Sequence, residues 1–424
     1  MGLLLKDATI VDFETGTTKV SNLWIHNKKI WYTPPSPNEK FTKIDLSGKL
    51  LFPGMVDLRC HLRDASGKNC ESIKSGSLAA VSGGYTSLLT MPNISPQPDN
   101  PGAIRFIKES AEKNSACKIH IVGCLTIQSK GLALAPLGSI KESGIIAVSD
   151  CPFSTQDNEV FVKAVEYATM FNLPVIEFPR ENTLSKNGNA HDGLISLGMG
   201  LGGYPRMAEE LFVQRAITVS KNLDAQIHLT SISSKGSVEL IREAKAKEVR
   251  VTADVTPHHL CFTDESIRGY NTNFKTMPPL REKEDKEALI DGLIDGTIDC
   301  ICSGHEPFSE HLKNSEFDIA PSGVISLETA FISILNMYSE KIRNLPLLMS
   351  KWTALNPSKI LGLTSGTLKE GSAADILVYN PDYSWNYEAK KGYSFCSNSP
   401  FDDNHFNGCV EMTLVDGRIM YKRQ

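Results

Sequence analysis

The 424-residue chain contains no apolar run long enough to span a bilayer, so a transmembrane role is not expected. It has no excess of positive charge. Its formal net charge of −5 argues against non-specific binding to nucleic acid or to an anionic membrane surface. Its 10 cysteines include no C-x-x-C pair and no dense framework; such scattered thiols fit a reduced, cytoplasmic setting. Cys300 and Cys302 share one face of an expected strand and are assigned to the packed interior. The first residues, MGLLLKDATIVDFETG, lack the long apolar core and cleavage site of a secretion signal and read as a strand. There is no internal repeat and no low-complexity tract.

What is present falls into two textures. Residues 1–51 alternate apolar and polar in short runs broken by turns, as in LLLKDATIVD and SNLWIHNKKIWY. Residues 365–424 read the same way, with Asp416-Gly417 marking a hairpin. Two half-sheets from the two ends are expected to pair into one composite β-sandwich domain. Between them, residues 52–364 alternate strand-like runs (KIHIVGCLT, LPVIEF, DAQIHLTSI, VRVTADVTP) with helical ones (NEVFVKAVEYATMF, MAEELFVQRAITVSKN, GSVELIREAKAK). That rhythm predicts an α/β fold, a (β/α)8 TIM barrel. Such barrels carry their sites at the C-terminal ends of the strands.

The segment Leu51-Phe52-Pro53-Gly54-Met55-Val56-Asp57-Leu58-Arg59-Cys60-His61-Leu62-Arg63 resembles the first barrel strand of the amidohydrolase superfamily, P-G-x-x-D-x-H-x-H-x-R. Further blocks resemble the dihydroorotase family over nearly the whole chain. They are Gly83-Gly84-Tyr85-Thr86 leading to Met91-Pro92-Asn93, then Thr256-Pro257-His258-His259-Leu260, Pro278-Pro279-Leu280-Arg281, and Ala320-Pro321-Ser322-Gly323 followed by Leu327-Glu328-Thr329. The resemblance implies an amidohydrolase-type barrel, a hydrolase acting on cyclic amides, and a zinc site.

In the same register the zinc site is taken apart. Arg59 stands at the first histidine, Phe178 at the fifth-strand histidine, Ser231 at the sixth-strand histidine and Gly304 at the catalytic aspartate; Phe308 replaces the histidine after it. Of the usual ligands only His61 and Asp150 remain. A guanidinium has no lone pair to offer, and a catalytic zinc needs about three protein ligands. No metal cofactor is therefore expected. Glu177 and Glu306 lie beside lost positions, but strand alternation should turn both to the opposite face. The resemblance also carries over a substrate-holding set: Arg63, Asn93, Asn273 and His305. These are either structural hydrogen-bonders or a live pocket for a small dicarboxylate, dihydroorotate or carbamoyl-aspartate. Arg59 is expected to fill the metal's place and pair with Asp150. His258 and His259 are read as fixing a loop, and His26 and His405 as surface residues.

Three functions follow from these readings. The first is a catalytically inactive, dihydroorotase-like protein of pyrimidine biosynthesis, partnering aspartate transcarbamoylase as its inactive relatives do, and itself a homo-oligomer. The second is an active dihydroorotase or related cyclic amidohydrolase with a degenerate zinc site, needing a third ligand such as His228 or His305. The third is a sensor that binds the pathway's anions.

Overall fold

A computed structural model describes residues 2–35, 40–65 and 70–424. Eight parallel strands form one sheet in strict chain order: Met55–Cys60, Tyr85–Thr90, Lys118–Cys124, Ala147–Ser149, Val175–Glu177, Ile227–Leu229, Val251–Val255 and Cys300–Ile301. The sheet closes on itself. Cys60 bridges His305 in parallel, and the His61 amide donates to the His305 carbonyl at 3.0 Å. The expected (β/α)8 barrel is therefore present.

Helices follow the strands where the apolar spacing predicted them, several started by a side chain that accepts orphan amides at the helix N-terminus. Asp157 caps Asn158–Met170 by accepting from the amides of Glu159 and Val160, and Ser234 caps Lys235–Ala246 through the Ser237 amide. In the T-P-H-H-L block Thr256 caps the short helix Pro257–Cys261, where proline at the first turn costs no hydrogen bond. His259 then bonds Thr256 Oγ1 at 2.7 Å and the Pro278 carbonyl at 3.1 Å, fixing two loops at the barrel mouth.

Strands from both ends of the chain make a second, eight-stranded sheet. Leu50–Pro53 lies between Gly2–Asp12 and Ile376–Asn386, with Leu51 opposite Val378. Leu5, Ile10, Leu23, Ile25, Ile376, Val378, Met412 and Leu414 form its own apolar core. Inside the barrel, Val56, Leu58, Leu89, Val122, Ala147, Ile176 and Cys300 come from six different strands yet pack in one cluster with Phe178, Cys151 and Cys302. No helix among the described residues is long and apolar enough to cross a membrane.

Candidate functional site

The C-terminal ends of the barrel strands bring the altered positions together. The first strand does not keep strict alternation. Its pairing slips between Asp57 and Cys60, so Leu58 and Arg59 both reach the interior group around Phe178. Arg59 is 1% exposed. Its Nη1 donates to Ser231 Oγ at 2.7 Å, its guanidinium lies 5.0 Å from the Phe178 ring centroid, and its Nη2 lies 3.3 Å from Glu306 Oε2. Of the four replaced ligand and base positions, Phe178 and Ser231 thus both contact the guanidinium that stands at a third, Arg59.

The arginine does not pair with Asp150, contrary to expectation. Asp150 accepts from the amides of Leu125 and Thr126 and from the hydroxyls of Thr126 and Thr155, at 2.6–3.1 Å. These neutral donors come from the turn after the third strand and from the loop after Asp150 itself. They occupy the carboxylate fully, while burial still pushes its pKa up.

The partner of Arg59 is Glu306, whose expected outward orientation is also corrected. The eighth strand ends at Ile301, and Gly304 has φ +62°. A left-handed residue breaks the two-residue alternation, and Glu306 turns inward. Its other oxygen lies 3.3 Å from Arg63 Nη2. Burial raises the Glu306 carboxyl, but its neighbours His61, Arg63 and Arg59 hold it below the usual carboxylate range. Arg63 also stacks on Phe308, 4.5 Å from the ring centroid. Each phenylalanine that replaces a histidine of the family pattern therefore gives an arginine an aromatic face, which a cation favours in a dry site. Glu177, by contrast, faces outward, accepting from Arg215 Nη2 of the helix Met207–Leu223 at 2.7 Å and from Ser154 Oγ at 2.6 Å.

His61 is fully buried. Its Nδ1 donates to Asn93 Oδ1 at 2.6 Å, leaving Nε2 as a bare acceptor with no hydrogen-bond partner. Burial pushes its pKa down to about 3, with Arg59 and Arg63 adding to the effect and Glu306 opposing it. His305, also buried, accepts from the Ser326 amide at Nδ1 (3.2 Å) and points Nε2 at Glu71, 3.6 Å away. Glu71 in turn accepts from the Ser394 hydroxyl. Asn273 sits half-buried in the turn Thr272–Phe274, and no hydrogen bond joins its side chain to Arg63, Asn93 or His305 among the described residues. Of the substrate-holding set, then, Arg63 is engaged by Glu306, Asn93 by His61, and His305 by Ser326 and Glu71.

Zinc does not fit this donor set. His61 Nε2 is available, but Asp150 is saturated and the remaining positions carry a guanidinium, a phenyl ring, a hydroxyl that accepts from that guanidinium, and a glycine. Gly304 cannot simply regain a carboxylate: a Cβ there would meet Thr256 Cγ2 at 2.7 Å and His258 Cε1 at 3.0 Å. His228 is engaged on both sides, by Thr252 Oγ1 and by Asp254 Oδ2, each at 2.9 Å. Elsewhere among the described residues, His191, Glu282 and Asp285 converge closely enough to hold an ion. There Arg206 already donates to both carboxylates, and His191 Nδ1 accepts from Arg281. Glu306, placed on the outer face from sequence, and Glu71, not singled out there, are the carboxylates that the sequence reading did not bring to the site. Two arginines in a metal-free interior require a counter-charge, and that requirement was the signal for Glu306.

Comparison with known proteins agrees with the fold and the motifs. The model of the dihydro-orotase-like family matches residues 48–237, and that of the amidohydrolase family matches residues 201–420. A protein named dihydroorotase from Endomicrobium trichonymphae is 38% identical over 424 residues, covering all of both chains. Another of that name from Geobacter metallireducens is 37% identical over 426 residues, again covering all of both. Among solved structures, the L-hydantoinase (dihydropyrimidinase) of Arthrobacter aurescens superimposes with a TM-score of 0.87 at 21% identity, over 98% of this chain and 95% of that one. With its barrel, its terminal sheet and its full-length similarity to these proteins, the chain belongs to the dihydroorotase family of the amidohydrolases.

Proposed function

We propose that this chain is a dihydroorotase-like protein of de novo pyrimidine biosynthesis that does not itself catalyse, and that it acts in the cytoplasm as an oligomeric structural or regulatory partner of aspartate transcarbamoylase. The observation that supports loss of catalysis is the guanidinium of Arg59, held by Ser231, Phe178 and Glu306 where the family's ligands converge. Opening or closing a cyclic amide needs an activated water and a base to move its proton. Here the base position is Gly304, and the buried cation would repel a metal ion. A scaffold role is consistent with this, because a fold keeps its surfaces when its site changes.

The second reading, an active dihydroorotase with a degenerate metal site, is favoured by 37–38% identity over the full length to proteins of that name. It requires a third ligand, and the two histidines proposed for that role, His228 and His305, are both committed to other partners. Binding of a dicarboxylate at Arg63, as the sensor reading needs, would have to displace Glu306.

The deciding experiment is zinc content by plasma mass spectrometry after dialysis against zinc and then buffer, with a dihydroorotase assay in both directions. Less than about a tenth of an equivalent with no turnover is expected, since the ligand count falls short. One equivalent with turnover would reject the first reading in favour of the second. Co-purification with aspartate transcarbamoylase tests the partnership separately.

A further inference from the structure

The loops above the barrel contain a second polar cleft, lined by none of the Arg59 cluster but by Met277, which precedes Pro278-Pro279-Leu280-Arg281, and by Ala320 and Ser322 of the Ala320-Pro321-Ser322-Gly323 block. A cleft of about 570 Å3 opens between the loop after the fifth strand, the loop carrying Lys275, and the segment around Asp318. All three follow C-terminal ends of barrel strands, the face on which such barrels bind their ligands. Its volume is within the range of small-molecule sites. None of Arg59, Arg63, His61 or Glu306 lines it.

Its charges are one-sided. Arg180, Lys186 and Lys275 line the cleft against a single carboxylate, Asp318, and that carboxylate already accepts from Asn189 Nδ2 at 3.1 Å. This is a local surplus of positive charge in a chain whose formal net charge is −5. Neither Arg180 nor Lys186 has a carboxylate partner among the described residues. Arg180 is nonetheless held in place: its Nε donates to Ser185 Oγ at 3.0 Å and its guanidinium lies 5.8 Å from the Tyr204 ring centroid, leaving the Nη edge unpaired. Lys275 is 3% exposed and donates only to backbone carbonyls, those of Phe317 at 2.5 Å and Asp318 at 3.2 Å. Burial pushes its ammonium down to about 8, with Asp318 opposing.

The wall is rigid as well. Asn189 and Ala190 both donate to the Gly202 carbonyl, at 2.8 and 3.3 Å, and a Cβ on Gly202 would meet the Asn187 carbonyl oxygen at 1.9 Å. A positioned guanidinium edge and a buried ammonium beside this hydrogen-bonded wall make a preorganised site for a multiply charged oxyanion.

We propose that this cleft binds a small phosphate-bearing molecule, with Arg180 as the principal grip and Lys275 and Lys186 supplying charge. The proposal does not depend on whether the chain is catalytic. The test is isothermal titration of the full-length chain with pyrophosphate, and with malonate as the carboxylate arm, at matched ionic strength. Saturable one-to-one binding of pyrophosphate is expected, at least ten-fold tighter than malonate. Arg180→Ala should weaken it ten-fold or more and Lys186→Ala about three-fold, as expected for a partly buried grip and a rim charge. Arg63→Ala should leave it unchanged. Asp318→Asn, which removes the one carboxylate among the described residues lining the cleft, should tighten it, and this variant tests the idea even if Arg180→Ala folds poorly. No saturable heat with wild type, equal affinity for malonate, unchanged binding in the Arg180→Ala/Lys186→Ala double variant, or loss of binding in Arg63→Ala alone would each overturn the proposal.

Discussion

Replacing Glu306 with leucine removes the counter-charge of Arg59 at nearly constant volume. The Arg59 side chain is 1% exposed and that of Glu306 is 7%, so water cannot take over the lost interaction. Arg63 is 21% exposed and can be hydrated where it stands, so the cost falls mainly on Arg59. Ser231 and the Phe178 ring remain, but neither carries charge. Breaking one side of a buried pair costs about 3–5 kcal/mol. At roughly 2.1 cal/mol/K per residue, a chain of this length unfolds with about 0.9 kcal/mol/K, so the melting temperature should fall by about 3–6 °C in a calorimetric scan. The double variant Arg59→Met/Glu306→Leu should recover to within about 1.5 kcal/mol of wild type, since replacing both partners of a buried pair by apolar groups is often neutral. Strictly additive losses in the double variant, or a drop below about 1 °C in Glu306→Leu, would show that the two side chains do not form the coupled pair inferred for them.

Gly304→Asp restores the family's carboxylate in name only. With φ at +62° and Thr256 Cγ2 2.7 Å from the new Cβ, it should lower the melting temperature by a few degrees and give no dihydroorotase turnover above background. Acid sensitivity should begin early. His61 has a folded pKa of about 3 against an ordinary 6.5, so below pH 6.5 the unfolded chain takes up a proton that the folded chain refuses, and stability falls with pH. That amounts to about 2 kcal/mol by pH 5, and His61→Gln should flatten the fall in melting temperature between pH 6.5 and 5. Asp254 acts lower on the scale. Burial raises its carboxyl, but His228, the Cys302 thiol and the Ser231 amide hold it below the usual range. Its contribution is full above about pH 4 and lost as pH falls through its folded value, so Asp254→Asn should remove part of the acid limb below pH 4 while already being destabilised at pH 7.

The barrel and the terminal sheet were legible because both rest on side-chain periodicity, and Phe178 and Ser231 both meet Arg59 because strand order fixes which positions face one another. Partner choice was not legible. Alternation assigned Glu306 to the outer face, and it holds only while the backbone stays extended; one left-handed glycine two residues earlier reversed it. Asp150 was assigned to Arg59 because both stand at metal-ligand positions of the family pattern, whereas backbone amides of Leu125 and Thr126, which no side-chain pattern reveals, take its oxygens. Asn273 was grouped with Arg63 by family resemblance, and the turn that carries it leaves its side chain bonded to none of the set.

The strand Leu50–Pro53 pairs on one side with Gly2–Asp12 and on the other with Ile376–Tyr379. Those last residues are synthesised about 330 positions later, which at 5–20 residues per second is roughly 16–65 s on the ribosome. For that interval Leu50–Pro53 has one unpaired edge, and such an edge is a template for association with another chain. The barrel strand Met55–Cys60 follows it directly, so the nascent chain must keep that edge covered while the barrel is built. With the two ends of the sequence linked in this way, the yield of this fold should depend on translation speed more than that of a barrel whose edge strands pair as soon as they emerge.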